Sequence, residues 1–418
     1  MTSGKAYVIG AGISGLAASV ALANRGARVV LIEGAGQAGG RCRSYLDPVL
    51  NQTIDNGNHL ILSGNHATFA YLRTIGSEDR LAGPEYPRFP FVDVRSGARW
   101  TVSPNEGAIP WWVFSHARRV PGTSVGEYLA IAKLVAASPS LRIDEVIACS
   151  GSLWERLLRP LLLAALNTEP ETASAGLAAA ILRETLMKGG WAYRPRIAAP
   201  HLGSTFIDPA LEYLRSNGAE LRFGSRLRRI EFEDGRATTL EVADGPIALG
   251  TNDHVVLATP AWVTADLLPD LPVPNEFRSI VNAHFAVVPS AGAPLMIGII
   301  GGTAEWVFAF PDRISVTVSG ADAIVDRDRE DLAKTMWRDV ATAHGLGPEL
   351  PPWQIVKERR ATFAATPEQA KRRPKAETRW SNLFLAGDWT DTGLPATIEG
   401  AVRSGHRAAE LALRELTR

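Results

Sequence analysis

The sequence predicts an α/β protein in which a doubly wound, mostly parallel-sheet domain is assembled from both chain ends and interrupted by an inserted α+β domain. Three observations carry this prediction. An uncharged run at residues 6–9 leads into Gly10-Ala11-Gly12-Ile13-Ser14-Gly15, and Leu16, Val20 and Ala23 follow at helical spacing. A similar uncharged run at 383–386 leads into Gly387-Asp388 near the other end. The middle reads differently, with long Ala/Leu helical stretches and alternating strands. A chain of 418 residues suits two or three domains. We assign residues 1–80, 215–270 and 375–418 to the doubly wound domain, and 81–214 with 271–374 to the inserted one.

Residues 6–9 and 29–32 are too continuously apolar for half-exposed strands. They read as buried parallel strands around one helix, a right-handed βαβ unit with Gly26 as the helix C-cap. Residues 34–63, rich in Gly, Asn and Asp, read as functional loop. Residues 81–121 carry many prolines and aromatics and read as irregular or β. Residues 124–186 read as helical, with breaks near Pro139 and Pro170. Strands return at 221–223, 229–232, 239–242 and 254–258, with Asp234-Gly235 and Asp244-Gly245 as turns. Two or three strands fall within 293–318, a helix at 322–344, a last strand at 383–386 and a last helix at 397–416.

Composition removes several classes. Lys plus Arg equals Asp plus Glu at 44 each, so the formal net charge is zero, unlike a nucleic-acid binder. Apolar residues at 46 % and charged residues at 21 % exclude a largely disordered chain. Cys42 and Cys149 are too few for a disulfide scaffold, which suits a reducing, cytoplasmic setting. No basic segment followed by an apolar run marks a secretory signal. The longest uncharged stretch, 279–304, contains Pro289, Pro294 and four glycines, the wrong composition for a spanning helix. No spacing of ligating residues reads as a metal site.

Gly10-x-Gly12-x-x-Gly15 between a buried strand and a helix reads as a dinucleotide turn. Gly10 allows a sharp bend, Gly12 lets the backbone approach a pyrophosphate, and Gly15 lets helix and strand lie close. Ser14 belongs to the same turn, and the helix N-terminus offers free amides to phosphate. Glu33 closes the second strand, where a carboxylate accepts both hydroxyls of an adenosine ribose. Gly39-Gly40-Arg41 follows at the E-x5-G-G-R spacing found in a group of flavoproteins, which points to FAD. Arg41 and Arg43 are candidates for its phosphates. In Asp55-Asn56-Gly57-Asn58-His59, Gly57 and Asn58 are placed to bring backbone against a flat ring, and His59 is a candidate ring contact or proton donor. Gly387-Asp388 sits at the carboxyl end of a buried strand, where Asp388 is a candidate acceptor for a ribityl hydroxyl. The helix that starts near Thr397, with Ile398 and Ala401 in its first turn, would aim its N-terminus at the electron-rich edge of a flavin.

The order of these motifs resembles the flavin-containing amine oxidase and phytoene desaturase superfamily, over residues 5–62 and 382–409. Gly224-Ser225-Arg226-Leu227, with 253–260, resembles its middle nucleotide segment, which implies that Leu227 meets the adenine. The resemblance implies an FAD-binding, Rossmann-like domain of the glutathione-reductase type holding non-covalent FAD. No covalent-flavin cysteine stands just before Gly387, and Cys42 lies elsewhere. Thr397 stands where amine-oxidising members carry an aromatic cage residue, so an amine substrate is not implied. Within the superfamily, residues 55–65 (DNGNHLILSGN), 158–174 and 384–405 resemble the hydroxysqualene dehydroxylases, the squalene-associated FAD-dependent desaturases of bacterial hopanoid biosynthesis.

That resemblance implies reduction of hydroxysqualene to squalene by flavin hydride. An apolar C30 isoprenoid needs a long dry tunnel, for which 161–166 and 294–300 are candidate walls. An acid must protonate the leaving hydroxyl; His59, Asp55 and Glu399 are the candidate catalytic residues. The electron donor stays open between an external reductase and a transiently docked NAD(P)H, since no second glycine fingerprint is present. Trp111-Trp112-Val113-Phe114 beside Arg118-Arg119, within 107–170, is a candidate for peripheral contact with the inner face of the cytoplasmic membrane, or else core. Two other readings stay open. One is a carotenoid- or phytoene-type FAD desaturase, or another FAD oxidase of an apolar substrate, running hydride the other way. The other is a non-catalytic FAD- or lipid-binding protein.

Overall fold

The computed structural model describes residues 4–416. A five-stranded parallel sheet has the spatial order Glu220–Arg222, Arg28–Ile32, Lys5–Ile9, His254–Leu257, Leu383–Leu385. Its strands come from chain segments hundreds of residues apart, and the first and last parts of the sequence lie in the same sheet. Because both faces are covered, alternate residues sort into two cores. Ala6, Val8, Val29, Leu31 and Val256 pack with helices Ile13–Ala23, Asp208–Ser216 and Ile398–Leu416. Tyr7, Ile9, Val30, Ile32, Val255 and Leu257 pack on the opposite face with Leu227, Ile230 and Leu240. Those last residues belong to a three-stranded antiparallel sheet of Leu227–Glu233, Arg236–Val242 and Gly245–Ala248. Its first hairpin turns at Asp234-Gly235, both at positive φ (47° and 73°), the twist a two-residue turn requires.

Helices Ile13–Ala23 and Ile398–Leu416 cross in close contact. A β-carbon on Gly405 would lie 2.2 Å from the Ser14 carbonyl oxygen and 2.9 Å from the Ala18 nitrogen, so only glycine permits the crossing.

A seven-stranded sheet gathers Trp353–Phe363, Phe277–Phe285, Ile314–Val318, Trp306–Ala309, Met296–Ile300, Phe89–Asp93 and Arg99–Val102, in that order. Neighbours run antiparallel except Met296–Ile300 beside Phe89–Asp93. One face buries Val281, Phe285, Val307 and Val316 against helix Arg329–His344. The other carries Ile280, Asn282, Met296, Trp306, Phe308 and Thr317, which roof a large cavity. Helices Arg159–Leu166 and Ala175–Glu184 close another side.

The structure corrects several expectations. Residues 34–63 are not all loop: Ser44–Asp47 and Gln52–Asp55 form a hairpin, and Leu60–Leu62 pairs with Pro195–Ala198. The hairpin turn is built by the Asp47 side chain, which accepts from the amides of Val49 and Leu50, and by Asn51 at φ 50°. The helix expected from 322 begins at Arg329, because Asp328 caps it by accepting from the Glu330 and Asp331 amides. The first helix ends at Ala23 with Asn24 as its C-cap, and Gly26 follows two residues later at φ 76°. Strand Trp353–Phe363 had no expectation. It runs along a sheet edge, where Lys357, Glu358, Arg359 and Arg360 interrupt the apolar pattern that marks interior strands.

Candidate functional site

A cavity of about 1090 Å³ starts at the carboxyl ends of the parallel strands and runs under the seven-stranded sheet. It exceeds the roughly 300–1,000 Å³ of ordinary small-molecule pockets, so it has room for a dinucleotide and a second ligand.

Its first part is lined by Gly10, Gly12, Ser14, Glu33, Gly39, Gly40 and Arg41. Gly10 has φ 107°, and a β-carbon there would meet the Ala258 carbonyl oxygen at 2.6 Å. Nothing lies within 4 Å of the β-position of Gly12, so the space over it is free for a phosphate group. A β-carbon on Gly15 would meet the Gly10 carbonyl oxygen at 1.8 Å, so strand and helix touch there without a side chain between them. Helix Ile13–Ala23 starts at Gly12 with no side-chain cap and no acidic residue in its first turn, which leaves its amides and positive dipole end for an anion. Gly39 sits at φ 109° and donates its N–H to the Ala11 carbonyl, bringing the second glycine pair across the first. The Glu33 carboxylate is held by the amides of Ala11 (2.7 Å) and Ala35 (2.8 Å), and it lines the cavity where a ribose diol would sit. Leu227 lines the same end. The free space over Gly12 and the uncapped helix end fit an FAD.

At the junction between the two parts, Arg41 donates from Nη2 to Asp388 Oδ1 at 2.8 Å and from Nη1 to the Ala361 carbonyl. Arg41 is thus tied to the C-terminal motif while it also lines the cavity. Beneath it, the guanidinium of Arg373 holds the carbonyl of Thr390 and lies 4.9 Å over the Phe363 ring. Burial pulls Arg373 down to about 10, still a cation at neutral pH. It fixes the Gly387-Asp388-Trp389 turn, and nothing local in the sequence announces it. Thr397 caps the last helix: its Oγ1 accepts from the Gly400 amide at 3.0 Å. The amides of Ile398 and Glu399 have no intrahelical partner, and Ile398 and Ala401 line the cavity.

Gly57, Asn58 and His59 line the wall between both parts. Asn58 donates to Thr317 Oγ1 (3.1 Å), which donates to Asn282 Oδ1 (2.8 Å), a polar strip on the roof. His59 Nε2 lies 3.8 Å from Cys42 Sγ. Burial, then the Arg41 cation, pushes His59 down to about 4, and burial raises Cys42 to about 12. Both are held neutral at physiological pH, so His59 does not rest as an imidazolium and stays a candidate ring contact.

The other two candidate acids are engaged in hydrogen-bond networks. Asp55 does not line the cavity; it accepts from Ser44 Oγ (2.5 Å) and the Leu202 amide (3.0 Å) and lies 3.7 Å from the buried Arg313. Glu399 is 3 % exposed and accepts from the Thr68 amide, Thr68 Oγ1, the Ala67 amide and Arg403 Nε. It ties helix His66–Thr74 to the last helix and also lines the cavity.

The second part of the cavity is apolar. Phe89, Val102, Leu157, Leu161, Ile181 and Met296 are among its walls. Of the expected walls, Leu161, Ala164 and Ala165 line it, whereas from 294–300 only Met296 does. Glu358 and Arg360, on the unexpected edge strand, also face it.

A dinucleotide cradle that opens into a largely apolar tunnel defines a flavin-dependent oxidoreductase. The family model described as flavin containing amine oxidoreductase matches residues 13–413, and the chain belongs to that family. The hydroxysqualene dehydroxylase of Sinorhizobium fredii is 52 % identical over 98 % of both chains. That of Rhodopseudomonas palustris is 52 % identical over 97 % of this chain and 98 % of its own. Among solved structures, the cyclohexylamine oxidase of Brevibacterium oxydans superposes over 100 % of both chains with a TM-score of 0.73 at 15 % identity, a likeness of fold.

Proposed function

We propose that this protein reduces the allylic alcohol of hydroxysqualene to squalene, as its half-identical relatives are named for. The observation that carries the reading is the continuity of the FAD cradle with a tunnel walled by aliphatic and aromatic side chains. Reduced FAD, when bound, supplies a hydride to the allylic carbon while the hydroxyl departs with a proton as water. The chain's own residues bind and exclude. Gly12, Glu33 and the uncapped first helix hold the dinucleotide. Asn58, Thr317 and Asn282 present a polar strip beside the apolar walls, where a hydroxyl finds partners and the hydrocarbon arms find none. The apolar walls keep water from the developing cationic carbon.

We place the enzyme in the cytoplasm at the inner face of the membrane, where its substrate partitions. Two unpaired cysteines support a reducing setting, and no helix among the described residues is long and apolar enough to cross a membrane. The test is anaerobic mixing of photoreduced protein with hydroxysqualene. Flavin reoxidation with squalene appearing in equal amount is the expected result; flavin that stays reduced overturns the reading.

A further inference from the structure

Resting on the isoprenoid reading above, we propose that residues 107–118 and 183–191 form one docking surface for an anionic lipid bilayer at the mouth of the apolar tunnel. The two segments are far apart in sequence and joined in space. Gly190 donates to the Asn105 carbonyl at 3.0 Å, and Asn105 Nδ2 donates to the carbonyl of Ile109 at 2.9 Å. A β-carbon on Gly189 would meet the Glu106 carbonyl oxygen at 2.6 Å, so the segments touch backbone to backbone. Ile109, Trp111, Phe114, Met187 and Trp191 project from them and are each between 42 and 63 % exposed. Five large apolar side chains on two joined segments, with the Trp111 and Phe114 rings 6.1 Å apart, form a cluster rather than single scattered exposures. Trp112 and Arg119, by contrast, are buried, Arg119 donating to the Val113 carbonyl, so they brace the loop and do not face outward.

Position and charge select the occupant. Tunnel walls adjoin the exposed side chains along the chain: Trp112 lines the cavity next to Trp111, and Leu186 next to Met187. A substrate leaving a bilayer would enter here without crossing water. No carboxylate occurs between residues 107 and 126 or between 185 and 207. Lys188 and Arg194 are neutralised by Glu184 and Glu106. Exposed Arg118, four residues after Phe114, supplies the attraction to anionic headgroups, whereas the Arg183 guanidinium is turned to the Val135 carbonyl. Exposed tryptophans beside a cation match the headgroup–acyl boundary, whereas a protein partner would need a defined hydrogen-bonding rim.

The test sediments the full-length, FAD-loaded protein with vesicles of phosphatidylcholine, alone or mixed with phosphatidylglycerol. Binding is expected to the mixed vesicles, weakened by salt, with a blue shift of tryptophan emission. The double variant Trp111→Ser, Phe114→Ser, and separately Trp191→Ser, should lose binding while keeping bound flavin and turnover of detergent-dispersed hydroxysqualene. Arg118→Ala should weaken binding about fivefold. Equal binding to both vesicle types, no binding to either, or variants that bind like wild type overturns the proposal. A dimer that the same variants dissolve also overturns it, since the face is then a protein interface. Vesicle binding without turnover of hydroxysqualene would sink the functional reading and leave the docking surface standing.

Discussion

Arg41 Nη2 lies 2.8 Å from Asp388 Oδ1, an ion pair that joins positions 347 residues apart and closes the dinucleotide cradle with both ends of the chain. Asp388 has 10 % of its side chain exposed, so removing it leaves a guanidinium without its carboxylate beside the site. Asp388→Ala should lower FAD affinity about 10- to 100-fold, the scale of one charge-assisted hydrogen bond of roughly 1.5–3 kcal/mol. Titration of apoprotein with FAD, followed by flavin fluorescence, measures it; unchanged affinity would show that the pair does not shape the cradle.

Gly405→Ala should destabilise the fold by about 1–3 kcal/mol, because the added methyl meets backbone that cannot yield cheaply. Since Ser14 carries the struck carbonyl, flavin should also be released at a lower temperature. Thermal unfolding monitored by tryptophan and by flavin emission separates the two effects.

His59 holds its imidazole neutral above about pH 4 through burial and the Arg41 cation. The acidic limb of kcat/KM against pH should therefore stay in place in His59→Asn between pH 5 and 9. A displaced limb in that variant would make His59 the proton donor after all.

His284 is fully buried, accepts or donates at Nδ1 to Ser315 Oγ (2.8 Å), and is pushed down to about 3 by burial and then by Arg313. Its folded value lies below its ordinary 6.5, so between pH 6.5 and 3 the unfolded chain binds the proton and the native one does not. Stability should fall as pH drops through that window, with His284 contributing up to about 1.4 kcal/mol per pH unit. Urea midpoints at pH 7 and pH 5 should converge in His284→Gln relative to wild type.

Ala165→Trp should fill the tunnel beside Leu161 without touching the cradle. KM for hydroxysqualene should rise about tenfold or more, while flavin content stays at the wild-type level. Equal losses of both would place Ala165 outside the substrate path.

The sequence by itself determined the cradle. Its elements are local: a glycine turn between strand and helix, a carboxylate at a strand end, a glycine pair at fixed spacing, and an uncharged strand ending in Gly-Asp. Short-range sterics and hydrogen bonding demand those residues wherever the fold occurs, so Gly10, Gly12, Glu33, Gly39 and Asp388 are readable one segment at a time. What Asp55, Glu399 and His59 do was decided only in three dimensions. A carboxylate is an acid or an anchor according to which amides and cations reach it, and the partners here are Leu202, Thr68, Arg313 and Arg403, between 4 and 331 positions away. The same holds for Arg373 and for edge strand Trp353–Phe363, whose charged pattern hides them from any periodicity. It holds as well for the exposed face built from residues 107–118 and 183–191. Burial and pairing are properties of the packed chain, and no local pattern encodes which distant surfaces will meet.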